Sequence, residues 1–335
     1  MGLQNLFRAT VLVWMILAEF SIASAQQKPQ WMPGQIGLNA GVQASPGFTY
    51  ANITINYDAG TFNNRNGNAV PVPGNYNVWA AENVFIFVPE TKFLGGHLGF
   101  QAILTPASGS LDADLNIGGG VPSLGGAGGG GGLADLWLQP FTLGWKFKRL
   151  DFQVGDAFMI PTGRYSPGAS NNVGTGYFGN HLQTGTTYYV TKTKGTSANL
   201  FTDWEVHGPR QGTNNTFKTP GQAFTIEWGL GQVLPLKKDF SKLLQLGVIG
   251  YDQWQVTANG GTISVGGIVL PVNRLPYYSN HAVGGQINYI LPAKNFGLFF
   301  KYEHEYKSYS TTLGNTLVFG LNWTLAIPKP VVPKS

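Results

Sequence analysis

Cysteine is absent from the 335 residues of the chain, which excludes a disulfide framework, a thiol nucleophile and a cysteine-ligated metal. Charged residues are scarce, at 11% against roughly 25% in typical soluble domains. Beyond residue 25, no stretch has the roughly 18 consecutive apolar residues expected of a transmembrane helix. The formal net charge of +5 comes from scattered lysines and arginines, several of them in short turns, so we expect no nucleic-acid partner.

The first 25 residues have the pattern of a secretory signal peptide. An apolar run from Ala9 to Ala18 is followed by Ala23-Ser24-Ala25, which is an A-x-A cleavage site. We therefore predict cleavage after Ala25 and export without a helical anchor. Residues 26–46 are polar, contain proline and glycine, and are predicted to form a poorly structured N-terminal lead-in.

Alternation of apolar and polar residues dominates the remaining chain, and it is clearest in the last hairpin, 295–325. One parity of its second half is entirely apolar: Leu317, Phe319, Leu321, Trp323 and Leu325. The other parity carries Thr316, Gly320, Asn322 and Thr324. A period of two predicts a β-strand with two chemically different faces.

The pattern recurs twelve times, with no helical segment between the repeats. The predicted strands are 47–57, 76–88, 95–105, 133–147, 150–160, 181–191, 197–207, 221–234, 243–257, 281–291, 295–307 and 315–326. Each is close to the roughly 9–11 residues that cross a bilayer at a tilt. We therefore predict an all-β fold: a transmembrane antiparallel β-barrel of about 12 strands over residues 47–326, followed by a Pro-rich tail at 327–335.

The lengths of the connections support a barrel over a soluble sandwich. Long and short connections alternate along the chain, except that the last odd-numbered one, 308–314, is short. Outer-membrane barrels place short turns in the periplasm and long loops outside, so both termini are predicted to be periplasmic. The glycine-rich stretch within 106–132 is interpreted as a flexible external loop. It is not interpreted as a phosphate-binding loop, because no Lys-Ser/Thr follows it.

Several stretches, in order, resemble one known family. They are FLGGHLGFQAIL (93–104), GLADLWLQPFTLGWKFKRLDFQVGDAFMIPTGRY (132–165), GQAFTIEWGLGQVLPL (221–236), LGVIGYDQWQVT (246–257) and KYEHEYKS (301–308). The chain is similar, over about 48–325, to outer-membrane β-barrels of the phenol-degradation meta-pathway, regarded as transporters of aromatic compounds.

The resemblance implies a channel for small, aromatic or hydrophobic solutes in the bacterial outer membrane. The partners are then outer-membrane lipid, the solute and the barrel assembly machinery. Two features depart from the family pattern. In the family, an aromatic residue that closes the last strand usually ends the chain as an assembly signal, whereas this chain continues past Trp323 and Leu325. The Gly-rich insert is also longer than the family pattern suggests.

The parity of the strands also predicts which side chains face the lumen and which face lipid. The lumen-lining candidates are Asp203, Glu205, Glu227, Lys301, Glu303 and Glu305, and the lipid-facing candidates are Trp204, Trp228, Leu321 and Trp323. One interpretation is an acidic wall, balanced by Lys301, that tunes selectivity. The other is ordinary lumen polarity, with each charge satisfied by water or a partner.

Two other functional classes stay open at this point. One is a membrane hydrolase, because His181, His207 and His281 lie at the predicted outer rim. However, the sequence contains neither G-x-S-x-G nor H-E-x-x-H. Histidines at a rim are also usually solvated. We therefore predict no enzyme, no metal site and no cofactor. The other class is a structural or adhesin-like barrel whose long loops bind an external partner.

Overall fold

The computed structural model describes residues 29–70, 74–115, 124–167, 169, 171–214, 217–265 and 268–325. The predicted signal peptide and the Pro-rich tail lie outside these residues. In the part of the chain that is described, no helix has the length and apolar character needed to cross a membrane.

Strands make up nearly all of the regular structure, with two short 3-10 turns at Val272–Arg274 and Pro292–Lys294. The strands are β1 (Gly47–Phe62), β2 (Gly74–Val88), β3 (Lys92–Phe93), β4 (Gly96–Leu104), β5 (Pro106–Leu115), β6 (Leu124–Leu133), β7 (Leu136–Lys146), β8 (Leu150–Ile160), β9 (Gly179–Tyr189), β10 (Thr196–His207), β11 (Ala223–Pro235), β12 (Leu243–Gln255), β13 (Thr262–Val265), β14 (Ile268–Pro271), β15 (Ser279–Leu291), β16 (Phe296–Tyr309) and β17 (Thr312–Leu325).

Twelve of these strands form one closed antiparallel barrel. Their order around the ring is β1-β2-β4-β7-β8-β9-β10-β11-β12-β15-β16-β17. Pairing of β17 with β1 closes the ring, and β2 reaches β4 through residues 83–87. A closed ring leaves no barrel strand with an unpaired backbone edge, which is what the interior of a bilayer demands. The predicted twelve-stranded barrel is confirmed.

The two faces of the barrel wall differ in the exposure of their side chains. Trp204 and Trp323 are about half exposed on the outward face, at 48% and 50%, and Trp228 and Leu321 lie on the same face. Near the long-loop end, neighbouring strands carry a row of outward rings with centroids 5.7 to 6.5 Å apart: Trp204, Phe224, Trp254, His281 and Tyr306. Such an aromatic girdle is typical of the bilayer interface.

The glycine-rich stretch corrects one prediction. Residues 106–132 do not form an irregular loop in the described part of the chain, because β5 and β6 pair as a hairpin and β5 also pairs with the outer half of β2. A strand ladder is made by backbone groups, so glycine and serine can extend it where a neighbouring strand offers partners. Strand β5 continues the path of β4 along β2.

Strand β7 has a bulge around Pro140. The register of β7 shifts between Leu138 and Phe141 in its pairing with β8. Proline has no backbone N–H to donate to the ladder, so an irregular position is where a strand tolerates it.

Candidate functional site

The lumen is filled by the segment that precedes β1. Residues 29–46, here called the N-terminal segment, contain turns but no strand, and Trp31, Leu38 and Ala40 within it are at most 6% exposed. From the short-turn end, where β1 begins, the segment runs up the lumen to Gln30, whose amide donates to Thr175 and to the Tyr177 carbonyl in a long loop. Residues 29–46 are therefore ordered inside the barrel, which corrects the prediction of a poorly structured lead-in and of a periplasmic N-terminal end for this segment.

The six predicted lumen residues are all buried on the inward face, with exposures of 0–2%. Two of them bind the N-terminal segment directly. Glu205 accepts the backbone N–H groups of Gln30 and Trp31 at 2.7 and 3.1 Å. Glu227 accepts the indole N–H of Trp31 at 2.8 Å and the backbone N–H of Ile36 at 2.7 Å. Carboxylates that accept several N–H donors make strong, charge-assisted bonds.

Lys301 binds the carbonyl groups of the N-terminal segment, whereas Glu205 and Glu227 bind its N–H groups. Its ammonium donates to the carbonyls of Gly34 and Ile36 at 3.1 and 3.0 Å, and also to that of Gln35. The ammonium is buried among the charges of Glu82, Glu227 and Glu303. One lysine and two carboxylates thus bind one turn of backbone from both its donor and acceptor sides.

Glycines on the inward face make room for the segment. A Cβ built at Gly229, Gly231 or Gly247 would lie 2.8 to 3.1 Å from a methyl carbon of Leu38. These glycines fall on the polar parity of β11 and β12, where any larger side chain would displace Leu38. The glycine-rich inner face is therefore the complement of the N-terminal segment.

Trp31 is the centre of the packing inside the lumen. Its ring lies 5.1 Å from Phe201 and 5.6 Å from Trp137, measured between centroids. Ile103, Val84 and Ala157 belong to the same buried cluster. Phe201 and Trp137 are apolar residues on inward positions, and the segment supplies the partner that they pack against.

Between the N-terminal segment and the long loops lies a cavity of about 370 Å³. Its floor is formed by the segment through Trp31, Met32 and Gln35, and its wall is largely apolar and aromatic. The main aromatic and apolar wall residues are Tyr57, Tyr76, Val78, Ile103, Trp137, Met159, Tyr251 and Tyr278. This volume and character suit one small, flat organic molecule.

Two carboxylates fix the geometry of the cavity. Asp135 accepts from the backbone N–H groups of Gly163 and Thr175, at 2.9 and 2.7 Å, and so ties the loop 161–178 to the wall. Glu305 accepts from the hydroxyls of Tyr57 and Tyr251 at 2.9 and 2.8 Å.

In the loop before β15, burial raises the pKa of Tyr278 well above its usual range, and the charge of Glu205 adds to the rise. Its hydroxyl therefore stays protonated.

The histidines depart from the expectation of solvated rim residues. His181 is fully buried and hydrogen-bonded to Asp203 at 3.0 Å, while His207 is bonded to Glu205 at 3.0 Å. His281 alone of the three lies on the outward face, where it pairs with Asp252 at 2.7 Å. A side chain on the inward face near this end of the barrel is buried because the N-terminal segment reaches that level.

One group among the described residues has the spacing of a metal site. Ligand atoms of His181, Asp203 and Glu205 lie within 4.8 Å of one another. Each already has hydrogen-bond partners, which are Gln183 for Asp203, the segment backbone for Glu205 and Gln30 for the second ring nitrogen of His181. The arrangement is therefore explained by hydrogen bonding within the lumen, and we assign no metal to it.

Comparison with known proteins agrees with this architecture. Residues 59–321 match the family described as "Putative MetA-pathway of phenol degradation". An outer-membrane channel from Pseudomonas putida F1 is 14% identical, with a TM-score of 0.61, over 88% of this chain and 100% of its own. The β-domain of the Bordetella autotransporter BrkA is 10% identical, with a TM-score of 0.51, over 84% and 100%. No curated protein is significantly similar in sequence.

Proposed function

The chain belongs to the phenol-degradation family whose pattern it matches over residues 59–321, and from this premise we propose that it is an outer-membrane channel for small aromatic or hydrophobic solutes. Lipid surrounds the barrel, and the solute passes through its lumen. Folding by the barrel assembly machinery is part of the same proposal.

The observation that carries the proposal is the apolar cavity inside a closed barrel. Tyr76, Trp137 and Met159 line a space that a small ring fills, and the space lies between the long loops and the N-terminal segment. A barrel that served only as an anchor or adhesin has no need of an aromatic cavity in its lumen. The P. putida protein of the same fold is a channel, which supports this interpretation.

Uptake of a labelled aromatic by intact cells tests the function. Cells with the protein should accumulate labelled 4-methylphenol faster at low external concentration than cells without it. The matched control is a variant with Ala80→Trp, which places a large side chain at a position that lines the cavity. Equal initial rates in all three strains, with the wild-type barrel present in the outer membrane, would contradict a channel function.

We further propose that Glu205 and Glu227 bias the passage toward cations. Both are fully buried carboxylates on neighbouring strands β10 and β11. Replacing both by glutamine removes the charge, and it also sets amide NH₂ groups against the N–H donors of Gln30 and Trp31. The double variant should shift the reversal potential in a salt gradient toward anions. An unchanged reversal potential in a conducting channel would leave the two residues with a purely structural role.

A further inference from the structure

Acidic side chains outnumber basic ones around the cavity between the N-terminal segment and the long loops. Glu82, Asp135 and Glu305 line it, and the described lining residues include no lysine, arginine or histidine. The ammonium of Lys301 is buried beside Glu82, but the same ammonium also faces Glu227 and Glu303. One positive charge therefore serves three carboxylates, which leaves a surplus of negative charge around it.

Asp135 and Glu305 carry their charges without an ion pair. Asp135 accepts the backbone N–H of Gly163 at 2.9 Å, and the N–H and hydroxyl of Thr175 at 2.7 and 2.6 Å. Glu305 accepts from two tyrosine hydroxyls, a side-chain amide and a backbone N–H. Donors at both oxygens favour the ionised carboxylate. Neither residue forms an ion pair with another described residue, so both charges lack a positive partner there.

Glu82 adds to the negative charge of the cavity wall. Its side chain is buried, and one of its oxygens has no hydrogen-bond partner among the described residues. Because this oxygen is itself buried, a molecule in the cavity feels its charge through space and does not contact it. Such a field is strong in a space that is partly shielded from water, where the screening by salt is weak.

Six aromatic side chains form another part of the wall: Trp31, Tyr57, Tyr76, Trp137, Tyr251 and Tyr278. Tyr57 and Tyr76 meet edge to face, with 6.0 Å between their ring centroids. The face of a tyrosine or tryptophan ring attracts a cation, and the attraction increases where water is excluded. An aromatic wall can therefore stabilise a cation that has no hydrogen atom to donate.

The charge of a bound ring decides how much it gains in this cavity. An anion is repelled by the carboxylates, and a neutral ring gains only from the burial of its apolar surface. An aromatic cation gains from burial, from the ring faces and from the field of the carboxylates.

We propose that the cavity is a binding site for small aromatic cations, in which the ring carries an ammonium group. This inference rests on the channel function proposed above, and it names a class of solute for that function. The positive charge is stabilised by the aromatic wall and by the field of Asp135 and Glu305.

Two probes with the same shape and different charge test the proposal. Phenyltrimethylammonium has a positively charged nitrogen where tert-butylbenzene has a carbon, and neither molecule can donate a hydrogen bond. Binding to the purified protein in a nonionic detergent is measured by isothermal titration calorimetry, with the heat of partition into protein-free micelles subtracted. We expect both probes to bind, because both bury the same apolar surface.

Glu305→Gln removes one charge from the wall and keeps the size of the side chain. Asn280, which donates to Glu305, can turn its amide to accept from the new NH₂ group, since its oxygen has no other partner among the described residues. The substitution should weaken binding of phenyltrimethylammonium about tenfold and that of tert-butylbenzene by less than about twofold. Glu90→Gln, in the exposed turn between β2 and β3, is the matched control and should change neither affinity.

Tyr76→Leu tests the contribution of the aromatic wall. Leucine keeps an apolar surface at this position but has no ring face. The variant should bind phenyltrimethylammonium about fivefold more weakly than the wild type and tert-butylbenzene less than about twofold more weakly. Heat-modifiable migration on a gel verifies that each variant is folded.

Lys28 is the residue before Pro29, which lines the cavity, and it lies outside the described residues. A lysine so close in sequence competes with an added cation if its ammonium reaches the cavity. The titrations are therefore repeated with Lys28→Gln, which should bind phenyltrimethylammonium as tightly as the wild type or more tightly. Binding of the cation to this variant alone would support the site and identify Lys28 as its competitor.

The outcomes separate this inference from the function on which it rests. Equal changes in the affinities of both probes in Glu305→Gln and Tyr76→Leu would overturn the proposed site. Absence of cation binding to both the wild type and Lys28→Gln would also overturn it. In either case the channel function stands if uptake of 4-methylphenol by cells depends on the protein. Absence of that uptake, together with absence of binding by both probes, would overturn the channel function itself.

Discussion

Deleting residues 29–45 should raise the single-channel conductance several-fold. The N-terminal segment fills the lumen of a twelve-stranded barrel, a size that without a plug leaves room for water and ions. Its removal exposes the inward glycines Gly229, Gly231 and Gly247, so the wall itself does not refill the space. The measurement is the conductance of the purified barrel in a planar bilayer. The barrel strands begin at Gly47 and pair without the segment, so the ring should still close.

Two single substitutions calibrate this result. Trp31→Ala removes the largest side chain of the segment and both of its ring contacts, and should give an intermediate conductance. Trp204 lies outside the lumen, so the Trp204→Ala variant should have the conductance of the wild type. If the deletion variant is folded and conducts no more than the wild type, the long loops and not the segment close the passage.

The barrel follows from the sequence because its signal is local and repeated. Alternation in β11, with Phe224, Ile226 and Trp228 opposite Thr225 and Glu227, sets the strand and its two faces without any knowledge of its neighbours. Twelve such segments, joined by alternately long and short connections, leave little choice other than closure into a ring. Long-range pairing then only has to bring consecutive strands together.

The N-terminal segment was not predicted because its structure has no local signal. Residues 29–46 lack periodicity, and they are ordered only through contacts with distant residues such as Glu205, Glu227 and Lys301. The sequence did hold indirect signs of a plug. Buried charges need partners, and an inner face rich in glycine needs something to fill the space beside it. Trp31 and Ile36 donate N–H groups to Glu227, and Leu38 fills the space beside the inward glycines.

The glycine-rich hairpin escaped prediction for a related reason. Residues 124–133 contain almost no side chains that could show a period of two, yet their backbone pairs fully with β5. Where the side chains show no period, pairing with the neighbouring strand determines the structure.

Lys301→Met should destabilise the folded barrel by about 3–5 kcal/mol, because it removes one partner from a buried charged group. The lysine is 1% exposed and donates to three consecutive backbone carbonyls of the segment. Without its ammonium, those carbonyls lose their donor, and Glu82, Glu227 and Glu303 lose the nearest positive charge. Methionine keeps the length and apolar stem of lysine, so the change in packing is small. The measurement is the midpoint of urea unfolding, followed by gel mobility and circular dichroism.

The same strand supplies a matched control for this substitution. Lys307 is also in β16 but is exposed, and its ammonium lies 5.0 Å from the centroid of the Tyr309 ring. Lys307→Met should change the free energy of unfolding by less than about 1 kcal/mol, as for other exposed charges. The Lys301 variant should also expose residues 29–46 to added protease, since the segment loses one of its three charged anchors. A Lys301→Met barrel as stable and as protease-resistant as the Lys307→Met barrel would show that Lys301 is not needed to hold the segment in the lumen.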